Sequence, residues 1–258
     1  MKLCICVKIN PAMDKQYSIS EAAKILNINV QTLRRWDKSG RFTAGRKPAG
    51  NIKHYFYSEN DIEEFLSQDW RALLKIGAAW SFNSTPRDLP GRFYCPDKSI
   101  FKARLSRLEF DLKSHPDFNE IFSLIVAMAG EIGNNSFDHN LGNWPDVNGV
   151  FFAYIIKAGK VILADRGQGV LATLKPVKPD LADDAAALNT AFTEIISGRA
   201  PEKRGNGLKF VREVIVKNNF KLVFQSGAAI LNLKKNDKLP RIKTSSNWLR
   251  GCWAIISF

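Results

Sequence analysis

Residues 17–40 read YSISEAAKILNINVQTLRRWDKSG and carry the strongest local pattern in the chain. The pattern predicts two short helices separated by a turn, the first capped by Ser20 and the second beginning near Asn29. Val30 and Leu33 are expected to turn inward. The side chains expected to point outward together are Gln31, Thr32, Arg34, Arg35 and Lys38. A helix held by one face, with amides and guanidiniums on the other, suits the reading of DNA bases and phosphates.

The following segment, RKPAGNIKHYFY at residues 46–57, combines basic residues, a proline and glycine turn, and aromatic side chains. This composition predicts a hairpin that lies as a wing against the DNA backbone. Its candidate contact residues are Arg46, Lys47, Lys53, His54 and Tyr55. Between residues 31 and 54, seven basic residues stand against the single acid Asp37. Ser58 is expected to cap a short closing helix.

The strings SISEAAKILNINVQTLRRWDKSGRF and GNIKHYFYSENDIEEF, with the spacing between them, resemble the MerR-type and excisionase-like winged helix-turn-helix family over residues 17–66. The resemblance implies binding to double-stranded DNA, usually as a homodimer on two half-sites. No coiled-coil heptad follows the wing, so the sequence does not indicate a dimer interface. A small charged domain that binds another protein is the alternative, but the basic run lies on the face that a DNA-reading helix would use.

The composition of the whole chain bounds its class. Its 258 residues are 45% hydrophobic, which is enough for a globular core, and its formal net charge of +13 favours a polyanionic partner. No apolar run approaches the ~18–20 residues of a membrane helix, and no secretory signal is visible, so we expect a cytoplasmic protein. Cys4, Cys6, Cys95 and Cys252 have neither metal-type spacing nor disulfide density and are expected to be reduced.

Three regions are expected. Residues 1–69 form the winged helix-turn-helix domain, residues 70–117 form a linker and the entry to a second domain, and residues 118–258 form that second domain. Pro and Gly are frequent between residues 81 and 99, which favours the linker interpretation. From residue 119 the pattern is helix, hairpin, Gly-rich turn, long loop, second Gly-rich turn, helix and strands. This order predicts an α/β two-layer sandwich, a sheet with helices on one face.

Glu131, Asn135 and His139 recur every four residues in EIGNNSFDH, so they form a stripe along one helix. A carboxylate there can orient water, and an amide oxygen can bind Mg²⁺. The alternative for such a stripe is the solvated face of an amphipathic helix.

Two glycine motifs follow that stripe. In DRGQGV, Asp165 can accept a hydrogen bond from an exocyclic amine, while Gly167 and Gly169 allow a backbone to pass close to a ligand. In RGNGLKFV, Gly205 and Gly207 begin a helix whose free N–H groups suit phosphate, with Arg204 and Leu208 beside them. Each motif alone is only a weak indication of a ligand-binding site, and an ordinary loop is the alternative interpretation of both.

The order of these motifs resembles the GHKL (Bergerat-fold, histidine-kinase-like) ATPases over residues 118–258. The resemblance implies a mixed sheet, ATP and Mg²⁺ as cofactors, and an ATP lid in the 35 residues between Gly169 and Gly205. It also assigns residue roles. Glu131 is the candidate general base, Asn135 the Mg²⁺ ligand and Asp165 the adenine-reading carboxylate, with Gly167 and Gly169 at the adenine. Gly205 and Gly207 would hold the phosphates, and Arg199, Lys203 or Arg204 would reach the γ-phosphate. Leu208 and His139 are counted among the residues of the site.

Together the motifs predict an ATP-binding transcription regulator, in which Mg-ATP binding or hydrolysis controls the DNA-binding module. An alternative is a serine/threonine protein kinase or ATPase resembling anti-sigma-factor kinases, acting on a STAS-like protein partner. A third interpretation is a protein that only binds nucleotide, in a phage-defence or toxin-like system. No phosphoacceptor histidine module is visible, which disfavours a sensor kinase.

A basic stretch, residues 234–250, has six basic residues against Asp237. It is interpreted as a solvated loop or as a further nucleic-acid contact.

Overall fold

The computed structural model describes residues 15–49, 52–195 and 206–258. Contacts between residues divide the chain into two compact units, the first ending at Leu66 and the second running from Ser67 to Phe258.

The first unit contains the two helices and the hairpin that the sequence predicts. Its elements are β1 (Gln16–Ser18), α1 (Ile19–Ile25), α2 (Val30–Lys38), β2 (Gly45–Ala49), β3 (Ile52–Ser58) and α3 (Glu59–Gln68), the last of which reaches the boundary. The strands form an antiparallel sheet in the order β1-β3-β2.

Three side-chain caps begin the helices of this unit. Asn29 caps α2 as predicted, because its Oδ1 accepts from the N–H of Thr32 at 2.7 Å. Ser58 also acts as predicted, accepting from Asp61 N–H at 3.0 Å. The predicted cap of α1 was wrong: Ser18, not Ser20, is the cap. Ser18 forms a reciprocal capping box with Glu21, which leaves Ser20 inside the first turn.

Aromatic packing holds the wing and the helices of this unit together. The ring of Phe42 lies 4.6 Å from Phe65 and 5.0 Å from Tyr57, between centroids. Trp36 of α2 also contacts Phe65, at 5.3 Å. Leu33, on the inward face of α2, is fully buried, as predicted.

The second unit contains six helices and a five-stranded sheet among its described residues. They are α4 (Trp70–Phe82), β4 (Tyr94–Cys95), α5 (Lys98–Lys113), α6 (Phe122–Asn140), β5 (Val150–Ile155), β6 (Lys160–Asp165), α7 (Gly169–Leu174), α8 (Asp184–Thr193), α9 (Gly207–Lys217), β7 (Lys221–Lys234) and β8 (Arg241–Ser257). The strand order is β4-β5-β6-β8-β7.

Every described strand pair in this sheet is antiparallel, which corrects the expectation of a mixed sheet. The short connections within β5–β6 and β7–β8 impose hairpins, and a hairpin joins only antiparallel strands. The predicted hairpin of residues 150–165 is confirmed.

Both faces of the sheet are covered, whereas helices were expected on one face only. Val150 and Phe152 of β5 belong to the main core with α5, α6, α8 and α9. Successive side chains of a strand point to opposite faces. Phe151 therefore lies on the other face, where Gly77 of α4 approaches its ring and α4 buries Leu73 and Trp80.

Residues 70–117, expected to be a linker and the entry to the second domain, lie within the second unit and contain α4 and α5. Phe101, Leu108 and Leu112 of α5 are fully buried in the main core. Among the described residues, no helix has both the length and the apolarity needed to cross a bilayer.

Candidate functional site

The second helix of the first unit presents a basic surface. Gln31, Arg34, Arg35 and Lys38 of α2 are exposed, and Thr32 is half-buried with its N–H taken by the Asn29 cap. The opposite face is anchored through Leu33 and Trp36. The predicted division of α2 into an anchored and a displayed face is therefore present.

Asp37 connects this helix to the wing. Its Oδ1 accepts from Ala44 N–H at 2.9 Å, and its Oδ2 lies 3.5 Å from the guanidinium of Arg46. Arg46 also lies over the ring of Tyr55, 5.6 Å from its centroid, so both predicted wing residues share one exposed surface. In the hairpin register Lys47 pairs with His54 and Pro48 with Lys53. The side chains of Lys47, Lys53 and His54 lie outside the described part of the structure.

In the second unit, α6 and the start of α9 bring predicted residues together. Glu131 and Asn135 are half-buried on α6. A Cβ on Gly207, the first residue of α9, would collide with Glu131 Oε2 and lie 3.5 Å from Asn135 Nδ2. The first turn of α9 thus faces the carboxylate and amide stripe. Leu208 packs against the main core and anchors α9. The predicted residues Arg199, Lys203, Arg204 and Gly205 lie outside the described residues.

Asp165 ends β6 and is almost completely buried, with 1% of its surface exposed. Its Oδ2 accepts from Ser136 Oγ at 2.7 Å, and its Oδ1 accepts from the N–H groups of Gly167 at 2.8 Å and Cys252 at 3.3 Å. Burial raises the pKa of Asp165, and these hydrogen bonds oppose the rise. No cation pairs with this carboxylate in the described part of the chain. Among the described residues, this carboxylate therefore accepts hydrogen bonds only from uncharged donors.

Arg166, the next residue, has a buried guanidinium that points to α4. It donates to the carbonyl oxygens of Trp80 at 2.5 Å, Ser81 at 3.1 Å and Asn83 at 2.9 Å, and to that of Ser84 at 3.1 Å. These carbonyls lie at the end of α4, where a helix leaves acceptors unsatisfied. Arg166 also forms two hydrogen bonds with Asp146 Oδ2, at 2.9 and 2.5 Å.

Asp146 completes this cluster from a loop between α6 and β5. Burial alone would raise its pKa, but the hydrogen bonds from Arg166 and the charges of Arg166 and Arg250 outweigh burial and lower the pKa below its ordinary value. The loop after β6 is thereby tied to the end of α4 by a paired, buried charge.

Asn140, at the end of α6, connects this helix to the glycine loop, residues 165–170. Its Nδ2 donates to the Ser136 carbonyl at 2.7 Å, and its Oδ1 accepts from Gln168 N–H at 2.8 Å. Gln168 in turn donates from its side chain to the carbonyl of His139 at 2.8 Å.

A cleft of about 360 Å³ opens beside this junction, lined by His139 and Gln168 together with Asp138, Asn143 and Thr173. Burial lowers the pKa of His139, which favours a neutral imidazole at pH 7. The imidazole of His139 thus borders this cleft.

Gly169 has φ of +80°, and a Cβ there would collide with the Arg250 carbonyl oxygen. The backbone at Gly169 was expected to pass close to a ligand, but here it passes close to β8 of the same chain. The fold itself requires glycine at this position.

The donor types at this site fit Mg-ATP. Asn135 offers an amide oxygen, α9 offers the N–H groups of its first turn, and Asp165 offers a buried acceptor. No three His, Cys, Asp or Glu side chains converge on a metal position within the described ranges. The contact of Gly207 with Glu131 leaves no room for a phosphate between them. Nucleotide binding thus requires the first turn of α9 to move away from α6.

Three residues of this network were not predicted: Ser136, Asn140 and Arg166. Ser136 and Asn140 are four residues apart on α6, which is a helical spacing that could have indicated them. A charged residue directly after the apolar run VILAD was a weaker signal for Arg166.

Comparison with known proteins supports the assignment of a helix-turn-helix domain to residues 17–69. Residues 17–69 match the model of a family described as "Helix-turn-helix domain". The chain is also 34% identical over 53 residues to the type II methyltransferase M.Eco47II of Escherichia coli. That match covers 20% of this chain and 12% of the methyltransferase. The chain therefore carries a DNA-binding helix-turn-helix domain at residues 17–69.

Proposed function

We propose that this protein is a DNA-binding regulator whose affinity for DNA is controlled by Mg-ATP held in the second unit. The observation that carries the proposal is the meeting of Glu131, Asn135 and the first turn of α9, on a helix whose Ser136 also binds the buried Asp165, in a chain that has a helix-turn-helix domain. The same motif order underlies the resemblance of residues 118–258 to GHKL ATPases.

The DNA-binding half of the proposal rests on α2 and the wing. Arg34, Arg35 and Lys38 are exposed on α2, and Arg46 is exposed on β2. Arginine and lysine on one helix face can contact both base edges and phosphates. Because Leu33 is fully buried, this face is held in a fixed orientation. Double-stranded DNA is the partner proposed for this surface.

The nucleotide half assigns a role to each residue. Asp165 would accept a hydrogen bond from the exocyclic amine of adenine, and the first turn of α9 would donate to phosphate oxygens. Asn135 would ligate Mg²⁺, which supplies charge neutralisation when bound. Glu131 would orient a water molecule and accept its proton.

A route from this site to the DNA-binding domain is proposed through Arg166. The glycine loop that begins with Asp165 also holds the end of α4 through four carbonyl oxygens. Along the chain, α4 begins at Trp70, directly after the matched helix-turn-helix region ends at residue 69. A displacement of the loop would therefore act on the helix that follows this region.

Calorimetric titration of Mg-ATP into the full chain tests the nucleotide half. We expect binding by the wild type and none by Asp165→Asn, which replaces a carboxylate oxygen with an amide donor facing the amine. Glu131→Ala is expected to retain binding and lose ATP hydrolysis.

The Asp165→Asn variant is a controlled comparison because its stability should not fall at neutral pH. A buried carboxylate with a raised pKa is destabilised by ionisation, and the amide removes that charge. Thermal unfolding verifies this point. Absence of binding by folded wild type would contradict the proposed nucleotide site, and normal hydrolysis by Glu131→Ala would contradict the assigned base.

A further inference from the structure

Strands β7 and β8 continue beyond the rest of the sheet as a two-stranded ribbon. β6 pairs with β8 only between Trp253 and Ser257, whereas β7 pairs with β8 as far as Arg241. The ribbon is defined here as residues 229–234 and 241–244 with the turn 235–240 between them. Residues 241–250 form part of β8, where the sequence favoured a solvated loop over residues 234–250.

The two faces of the ribbon differ. Leu231 and its partner Ile242 contact the main core, so this face is covered. The alternate pair, Ile230 with Lys243, lies on the opposite face. Four lysines of the ribbon and its turn are exposed: Lys234, Lys235, Lys238 and Lys243. None of the four forms an ion pair with any described residue.

Asp237 is the only acidic residue between position 229 and the last residue, 258. It is largely buried and closes the turn: its Oδ2 accepts from Lys234 N–H at 3.0 Å and its Oδ1 lies 2.9 Å from Arg241. The Arg212 guanidinium of α9 donates to the Lys238 carbonyl and ties the turn to that helix. The four ammonium groups are therefore displayed on an ordered support, and Asp237 does not pair with them.

Several basic residues elsewhere in the second unit form ion pairs with nearby carboxylates. Lys98 pairs with Asp138 at 2.6 Å and Lys178 with Glu194 at 2.7 Å. Arg107 pairs with Asp111 at 2.9 Å. The ribbon differs in having a cluster of unpaired lysines within ten residues of chain.

We propose that the ribbon is a second DNA-binding surface, separate from α2, which contacts the phosphates of duplex DNA. Phosphates form a regular array of negative charge, and lysines bind them as point charges without reading the base sequence. The major groove of B-DNA is wide enough to admit a two-stranded ribbon. The contact is independent of nucleotide binding at Asp165.

The test uses the full chain with Arg34→Ala and Arg35→Ala, so that the contribution of α2 is reduced. In this background, one variant changes Lys234, Lys235, Lys238 and Lys243 to Gln. A matched control changes the exposed lysines Lys75, Lys102, Lys157 and Lys175 to Gln, which removes the same net charge elsewhere on the second unit. Affinity for a labelled duplex of arbitrary sequence is measured by fluorescence anisotropy across KCl concentrations.

Each lost phosphate contact lowers the slope of log K against log salt by about 1. We expect the ribbon variant to lower the magnitude of the slope by about 3–4, and the control by less than 1. Equal changes in both variants would show a general charge effect and overturn the proposal. So would an unchanged slope in the ribbon variant, or no duplex binding by the double-alanine background.

The thermal unfolding temperature of each variant shows whether it keeps the native structure. If the fourfold ribbon variant unfolds early, Lys235→Gln with Lys238→Gln in the turn is measured instead. This pair should lower the slope by about 2. No reduction by the folded pair would contradict the proposal.

Discussion

At the scale of single residues, the buried hydroxyl of Tyr57 is a source of instability in the wing. Its side chain is fully buried, and its hydroxyl has no hydrogen-bond partner in the described part of the chain. Burial, with a contribution from the Asp37 charge, raises the pKa of Tyr57 to about 12, so the group is neutral at pH 7. A buried hydroxyl without a partner loses its hydration and gains nothing in return.

We therefore predict that Tyr57→Phe increases the free energy of unfolding by about 1 kcal/mol, because it removes an unsatisfied polar atom and keeps the ring. Urea unfolding measures the change. Tyr55→Phe, at an exposed position of the same strand, is the control and should leave stability unchanged. A destabilised Tyr57→Phe would mean that the hydroxyl does have a partner.

The residue scale also shows the limit of sequence inference. The shared position of Glu131 and Asn135 along α6 could be predicted, because helical spacing alone puts them on one stripe. The position of Asp165 at the end of β6 could be predicted, because it follows an apolar run and precedes glycines. Helical spacing relates Ser136 to Asn140, but the bond of Ser136 to Asp165 could not be predicted, since that partner is 29 positions away and only the tertiary fold joins them. The carbonyl acceptors of Arg166 could not be predicted either, since they are more than 80 positions away.

At the scale of elements, Arg166, paired with Asp146, holds the end of α4 to the loop after β6. The lowered pKa of Asp146 means that its ionised form is stabilised by folding. Its contribution is therefore present above the unfolded pKa of about 4 and is lost as the pH falls through the folded value.

We predict that Asp146→Asn lowers the free energy of unfolding by about 1.5–3 kcal/mol at pH 7, the range for a hydrogen bond to a charged group. The difference from wild type should shrink as the pH falls below about 4. Urea unfolding at several pH values measures it, with the exposed Asp117→Asn as control. A difference that is absent at pH 7 would contradict the assigned role of this pair.

Elements were predicted where one short segment contains its own signals. The Asn29 cap and the buried Leu33 identify α2, and the hairpin of residues 150–165 follows from two apolar runs around a short turn. The sequence did not predict a helix on the second face of the sheet. β5 is apolar on both sides, and this pattern does not indicate which elements cover each side. α4 was assigned to a linker because of the Pro and Gly residues that follow it.

At the scale of the whole molecule, a helix-turn-helix domain and a second unit with a proposed nucleotide site share one chain. The proposal requires them to be energetically coupled, and coupling between two ligands is reciprocal. The proposed path for this coupling is the chain itself. α4 follows the helix-turn-helix region directly, and Arg166 binds carbonyl oxygens at the far end of α4.

The decisive measurement is the affinity of the full chain for duplex DNA with and without saturating Mg-ATP. We predict that Mg-ATP changes the affinity of the wild type by about fivefold or more, the lower range of allosteric coupling, and leaves that of Asp165→Asn unchanged. Equal affinities of the wild type in both conditions, with Mg-ATP shown by calorimetry to be bound, would contradict the proposed regulation.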